Sequence, residues 1–402
     1  METLTIERLG HHGDGIAPGP IYVPGTLPGE RVEGVVEHGV MAAPRILEPV
    51  PERVKPPCRH AKSCGGCQLQ HASDAFVAEW KLGVVRTALA AQGIAAPVSM
   101  LSASPPHSRR RAAFSARRTK KGALAGFHQK GSDTVIAIPD CQLVTPALAA
   151  SLPMVEALAV LGASRKGELS VQVTESLSGL DVAVSGGKPV DLATLAEIAR
   201  EQDLARIAWD DEVLTRRPPY QRFGGVDVVP PPGAFLQATA AGEAALRDAV
   251  VQILHGASHV ADLFAGCGTF ALPLAQAARV HAVESDRAML KALDHGWRHG
   301  TELRHVTHEA RDLFRNPLLP DELRRFDGVA IDPPRAGAEA QIAQLAAARV
   351  PRIAHVSCNP VTFARDAAAL LRAGYRIGPV GVVDQFRWST HVELVAGFVF
   401  EG

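Results

Sequence analysis

The sequence predicts a multidomain α/β protein: a small N-terminal OB-like β-barrel, a mixed α+β centre and a C-terminal doubly wound parallel sheet. Three observations point there. A length of 402 residues exceeds one domain of about 150. Before residue 50, short β-rich runs alternate with Gly and Pro turns. After residue 240, strand-like runs alternate with helical ones.

In the N-terminal part, Leu4-Thr5-Ile6, Ile21-Tyr22-Val23 and Arg31-Val32-Glu33-Gly34-Val35-Val36 are separated by Gly13, Gly15, Pro18, Gly19, Pro24 and Pro28-Gly29. Short strands with regular turn signals read as a barrel over residues 1–50. Pro49, Pro51, Pro56 and Pro57 mark a linker. Helical periodicity follows over 74–92, where Phe76, Val77, Trp80, Val84, Val85, Ala88 and Leu89 share a face. Asp74 is the expected N-cap and Gly93 the expected stop. The stretch 102–233 is strand-rich, and Pro230-Pro231-Pro232-Gly233 sets a boundary. The central domain is therefore read as 51–69 with 102–233, and the C-terminal domain as 234–402. In the latter, strands at 260–264, 280–284, 328–332 and 352–356 alternate with helices expected from Phe270 and Asp286. That is a Rossmann-like pattern, whose ligands lie at the carboxyl ends of the strands.

A hydrophobic content of 47% excludes a wholly disordered chain. No uncharged apolar run reaches the roughly 18 residues of a membrane span, and Glu2 and Glu7 do not suit a secretory leader. The expectation is a cytoplasmic monomer. Charge is balanced at 42 basic and 42 acidic residues, yet no acid occurs between Glu79 and Asp133, a stretch carrying +10. Its dense part is Arg109, Arg110, Arg111, Arg117, Arg118, Lys120 and Lys121. A solvated face and a polyanion-binding surface share this pattern.

Cysteine spacing says more. Cys58-x5-Cys64-x2-Cys67 occupies a tight loop with Gly65 and Gly66, and Cys141 is the best placed fourth thiol. In a cytosolic chain such a set holds a metal more often than disulfides. Four thiolates fit tetrahedral zinc or an iron–sulfur cluster. Zinc ribbons pair two C-x2-C knuckles, and only one occurs here, so a [4Fe–4S] cube suits the spacing better.

The remaining chemistry sits at strand ends. Asp262-Leu-Phe-Ala-Gly-Cys-Gly-Thr269 runs from a strand into a turn with Gly266 and Gly268, and Glu284 ends the next strand. A carboxylate there accepts hydrogen bonds from ribose hydroxyls. The lack of a third glycine favours S-adenosylmethionine (AdoMet) over a dinucleotide. Asp332, in Ile331-Asp332-Pro333-Pro334-Arg335, ends a later strand on the substrate side. Cys358, in Val356-Ser357-Cys358-Asn359-Pro360, ends the following strand beside a helix N-terminus, where the dipole favours thiolate. A nucleophilic cysteine suits methylation at C5 of a pyrimidine, a carbon that becomes nucleophilic only after a thiolate adds at C6. A base must then remove the C5 proton, and Glu393 is the candidate.

Together these motifs resemble the bacterial RNA (uracil-5-)-methyltransferases over nearly the whole chain. Gly13-Asp-Gly-Ile-Ala17 and Val23-Pro-Gly-Thr-Leu-Pro-Gly-Glu30 look like their TRAM domain. The strongest likeness is Ser357-Cys-Asn-Pro-Val-Thr-Phe-Ala-Arg-Asp366, with Asp332-Pro-Pro-Arg-Ala-Gly337 and His391-Val-Glu393. The resemblance implies Cys358 as nucleophile and Glu393 as proton acceptor. It implies that Gln237, Phe264, Glu284 and Asp332 contact AdoMet or the base, with Asp262, Gly266, Gly268 and Asp312 completing the cofactor site. It implies a [4Fe–4S] cluster on Cys58, Cys64, Cys67 and Cys141, and a C-terminal domain that also takes in residues 70–101. RNA is the implied partner, of the 23S ribosomal type in the first instance, with transfer RNA as the alternative. Trp388 stands where the family's proline precedes its terminal Thr-x-His-x-Glu. Radical AdoMet methylthiotransferases space their cysteines C-x3-C-x2-C, unlike this chain. Cytosine-5 enzymes carry Pro-Cys after the Asp-x-Pro motif, and amine methylases an aromatic ring, where this chain has Arg335. A non-catalytic iron–sulfur RNA-binding module is the remaining class, and the joint presence of Cys358 and Glu393 counts against it.

Overall fold

A computed structural model describes residues 1–402. The first fifty residues form two small antiparallel sheets, Glu2–Thr5 with Arg31–Gly34 and Arg45–Glu48, and Arg8–Leu9 with Gly15–Ala17 and Ile21–Val23. Ile6, Ala17, Val23, Val32 and Met41 make their shared core. The central sheet has seven strands, from Val135–Ala137 at one edge through Arg111–Thr119 and Glu168–Ser176 to Glu212–Thr215 at the other.

The C-terminal sheet has eight strands: Val306–Ala310, Arg279–Glu284, His259–Leu263, Gly328–Ile331, Arg352–Ser357, Glu393–Phe400, Tyr375–Asp384 and Val98–Ala103. Every pairing is parallel except those of Glu393–Phe400, which runs antiparallel to both neighbours. Alternating side chains enter the two faces: Ala261, Leu263 and Ile353 pack on one side, Val260, Ala354 and Val356 on the other. Chain order reverses between His259–Leu263 and Gly328–Ile331, opening a crevice at their carboxyl ends.

Several expectations change. The helix Asp74–Ala90 is capped by Ser73, whose hydroxyl accepts from the Phe76 N–H at 3.3 Å; Asp74 is its first residue instead and binds Arg387. Its buried stripe is Val77, Lys81, Val85 and Leu89, so a lysine lies inside an i, i+4 apolar row. The helix expected from Phe270 is only Ala271–Leu274, with Pro273 accommodated in its first turn. The edge strand Val98–Ala103 carries Ser102 and Ala103 into the C-terminal sheet, opposite Val383 and Asp384. The hairpin Gln221–Phe223 and Val226–Val228 packs with Leu272, Met289 and Trp297, so it belongs physically to the C-terminal unit.

Candidate active site

Cys358 follows the strand Arg352–Ser357 and precedes the helix Pro360–Arg372. Proline at the first helical position and Asn359, whose side chain accepts from the Val361 N–H at 3.0 Å, fix that entry. The thiol opens into a cavity of about 500 Å³ lined also by Arg335, His391, His11 and His12. Burial, then the nearby Glu393 and Asp332, push it up to about 12. This corrects the expectation that the helix terminus favours thiolate: desolvation and two carboxyls outweigh one helix dipole.

Glu393 opens an internal strand and is 4% exposed. Burial and Asp332 push its carboxyl well up, while Gln385 and Arg335 pull the other way. Asp332 is half-buried at the end of Gly328–Ile331, and burial pushes it up to about 7. Its Oδ2 accepts from Gln237 Nε2 at 3.4 Å. Three acidic or thiol groups therefore face one another at the carboxyl end of the sheet.

The crevice beside them holds the glycine turn. Gly268 has φ +96° and a side chain there would meet Leu272 and Leu293 at 3.0 Å, so glycine is required. Glu284 is oriented from two sides: Oε2 accepts from the Gly266 N–H at 3.1 Å, and Oε1 from the Ser285 and Asp286 N–H groups at 2.7 and 3.0 Å. Phe264 and Phe314 lie with centroids 5.4 Å apart, and Phe314 is 49% exposed. Asp312 caps the turn that carries Phe314, accepting its N–H at 2.9 Å. Asp262 is fully buried and neither carboxyl oxygen has a hydrogen-bond partner. Burial, followed by Asp332, pushes it well up.

Cys58, Cys64, Cys67 and Cys141 converge on one small cavity with Phe127, Ile138 and Leu143. The His60 and Gly66 N–H groups point at the sulfurs of Cys58 and Cys64, both at 3.4 Å. No group of three or more His, Cys, Asp or Glu side chains is disposed to hold a metal ion.

The basic run does not form one surface. Arg109 is directed inward beside Cys67 and Cys141, and its Nε donates to the Arg111 carbonyl at 3.0 Å. Arg110 pairs with Glu243 at 2.5 Å and donates to the Gln237 carbonyl at 3.3 Å. Arg111 is half-buried, 4.9 Å from the Phe235 ring centroid, and burial pulls it down to about 10. Arg117 is tied to Glu168 at 2.6 Å. Arg118, Lys120 and Lys121 are exposed at the hairpin. Strand alternation and buried partners divide what the linear charge count pools.

Sequence reasoning missed Gln385, Lys81 and Phe314. Lys81 Nζ binds Asp384 at 2.6 Å and the Phe386 carbonyl at 3.1 Å. Phe314, two residues past Asp312, was findable by its place after a strand; Gln385 carried no signal.

The family model described as tRNA (uracil-5-)-methyltransferase matches residues 230–400. An uncharacterized RNA methyltransferase of Rhizobium meliloti is 45% identical over 407 residues, covering 98% of each chain. The chain belongs to this family of RNA methyltransferases. A 23S rRNA (uracil(1939)-C(5))-methyltransferase of Halomonas elongata is 34% identical, covering 97% of this chain and 88% of that one. The crystal structure of Pyrococcus abyssi tRNA (uracil-54, C5)-methyltransferase with S-adenosyl-L-homocysteine shares the fold over 99% of both chains, at a TM-score of 0.78 and 23% identity. Gln237, Phe264, Glu284, Asp332, Cys358 and Glu393 all fall within the span of the family model, and the four clustered cysteines fall outside it.

Proposed function

We propose that this RNA methyltransferase transfers the methyl group of AdoMet to C5 of a uridine in RNA, through a transient bond between Cys358 and C6. The observation that carries this reading is the convergence of Cys358, Glu393 and Asp332 on one cleft beside the crevice of Glu284 and the glycine turn. AdoMet would lie in that crevice, its ribose held by the carboxylate of Glu284 and its adenine beside Phe264 and Phe314, and it would supply an electrophilic methyl. The target base, turned out of its stack, would enter the cavity of Cys358. Cys358 gives its proton to solvent in the open cavity as sulfur bonds to C6, and the C5–C6 electron pair shifts toward C5 and the C4 carbonyl as an enolate. C5 takes the methyl. Glu393, ionised at this stage, accepts the C5 proton; the C5–H electron pair re-forms C5=C6 and the C6–S bond breaks, releasing Cys358 as thiolate, which takes a proton from solvent as Glu393 gives one up.

Ribosomal RNA is our favoured substrate, supported by the near full-length likeness to the Halomonas enzyme. The same chemistry on transfer RNA is the alternative, supported by the family model's description. Mapping 5-methyluridine in both RNA classes from a knockout strain, complemented with wild type or Cys358→Ala, decides between them. A full set of 5-methyluridines in the knockout would sink the reading.

The cysteine cavity is proposed to hold a [4Fe–4S] cluster. What supports the reading is that all four thiols line one cavity, and a cluster would take one thiolate on each iron. The guanidinium of Arg109 beside Cys67 and Cys141 suits the negative charge of such a cluster. It takes no part in the methyl-transfer steps above.

A further inference from the structure

Gln385 is 1% exposed and lies in the loop joining the last two strands of the chain, next to the two residues that anchor that loop. Asp384 accepts from Lys81 at 2.6 Å and from the Phe386 N–H at 3.1 Å, and the Phe386 carbonyl accepts from Lys81 at 3.1 Å. A fully buried lysine thus pins the backbone on either side of Gln385. The amide itself is read from its partners. The Ala238 N–H can only donate, so the Gln385 atom 2.8 Å from it is the carbonyl oxygen. The NH2 of Gln385 must then face Gln237, whose carbonyl oxygen accepts it at 2.6 Å. That leaves the NH2 of Gln237 directed at Asp332, 3.4 Å away. One backbone N–H sets the sense of two successive buried amides.

We propose that Gln385 is a positioning residue for methyl transfer, acting by turning Gln237 so that its NH2, and not its carbonyl, meets Asp332 and the substrate cleft. This rests on the reading of the cleft given above. Asp332 fixes the sense of Gln237 only weakly, at 3.4 Å and as a carboxyl that donates when protonated and accepts when ionised, and the contact from Arg110 is to the backbone carbonyl. A hydrogen-bonded amide that could rotate would present an acceptor toward a carboxylate in part of the molecules, leaving both oxygens without a donor. Gln385 also lies against Glu393, so the same side chain touches the donor side and the proton-accepting side of the cleft.

The test is a double-mutant cycle on the full-length protein. Gln385→Glu keeps an acceptor for Ala238 and nearly the same volume; once ionised it offers only acceptors to the Gln237 carbonyl and turns that amide, so rates are read at the alkaline end of the pH profile, relative to wild type. Gln385→Met removes both polar functions. With uridine RNA and AdoMet, Gln385→Glu should lower kcat by about 10- to 100-fold, and more than Gln385→Met, with the KM for RNA changed less than about threefold. In a Gln237→Met background, Gln385→Glu should cost less than about twofold, because the group it acts through is gone. Equal losses in both backgrounds would overturn the proposal, since they would mean a role in packing alone. A second readout is independent of catalysis: the side-chain NH2 resonances of Gln237, assigned by their loss in Gln237→Met, should shift in Gln385→Glu. Unmoved resonances in a folded variant would overturn the proposal equally. Failure of the functional reading itself appears elsewhere, as wild-type protein that neither methylates uridine RNA nor captures 5-fluorouridine RNA through Cys358.

Discussion

Cys67 and Cys358 are pushed to the same point, about 12, by the same first cause, burial. Their company differs. Cys67 lies with three other thiols, apolar walls and an inward arginine. Cys358 lies with two carboxyls and opens into a cavity wide enough for a nucleobase. The shift alone therefore says nothing about role. A raised thiol among thiols and a cation is ready to be deprotonated by metal ions. A raised thiol among carboxyls stays protonated, and on the proposed mechanism it loses its proton only as the base is bound.

That contrast can be broken most sharply at Cys358. Cys358→Ala should abolish capture of 5-fluorouridine RNA and lower turnover by about 10³-fold or more; gel-shift under denaturing conditions checks it. Capture that survives would move the nucleophile elsewhere. Glu393→Gln should lower turnover by about 10²- to 10⁴-fold while methylated protein–RNA adduct accumulates, seen by intact mass spectrometry. Loss without adduct would give Glu393 a binding role. On the other side of the comparison, Cys67→Ser should lose most of its iron and sulfide in anaerobically purified protein yet keep 5-fluorouridine capture at Cys358. Iron retained at the wild-type ratio would remove Cys67 from the cluster.

Asp332 sharpens the carboxyl side through pH. Its folded value, about 7, lies above the ordinary 3.8, so its contribution to stability is full below about pH 4 and is lost as pH rises through about 7. Asp332→Asn should therefore melt above wild type at pH 8, with the gap closing toward pH 4; calorimetry across that window checks it. The smallest effect belongs to the exposed hairpin. Reversing Arg118, Lys120 and Lys121 should weaken RNA binding and reduce the salt slope by about one for each phosphate that these side chains neutralise. An unchanged slope would return them to a merely solvated face.

Much of the cleft was legible in the sequence because its residues sit at strand ends, where a period of two followed by Gly, Pro or Asn marks the spot. Glu284, Asp332 and Cys358 all fall there. The four cysteines were legible through spacing. What was not legible depends on packing across long stretches of chain. Arg109, Arg110 and Arg111 read as surface charge until their partners, Glu243 among them, are known. Lys81 spoils an apolar stripe unless Asp384 is in view. The hairpin 221–228 lies before the Pro-rich break yet packs beyond it, because Phe223 and Val228 fill a gap beside Leu272. The raised thiol of Cys358 was missed because a helix dipole is readable locally and desolvation is not.

The strand Val98–Ala103 and the helix Asp74–Ala90 complete a sheet whose other members come from beyond residue 258. Lys81 waits through 303 positions of synthesis for Asp384. Until that partner exists the ammonium of Lys81 keeps its water, because burying it unpaired is costly. A chain stopped before residue 384 lacks Asp384, Gln385 and Glu393 together, so the anchor of the buried lysine and the cleft residues beside it are gained or lost as one.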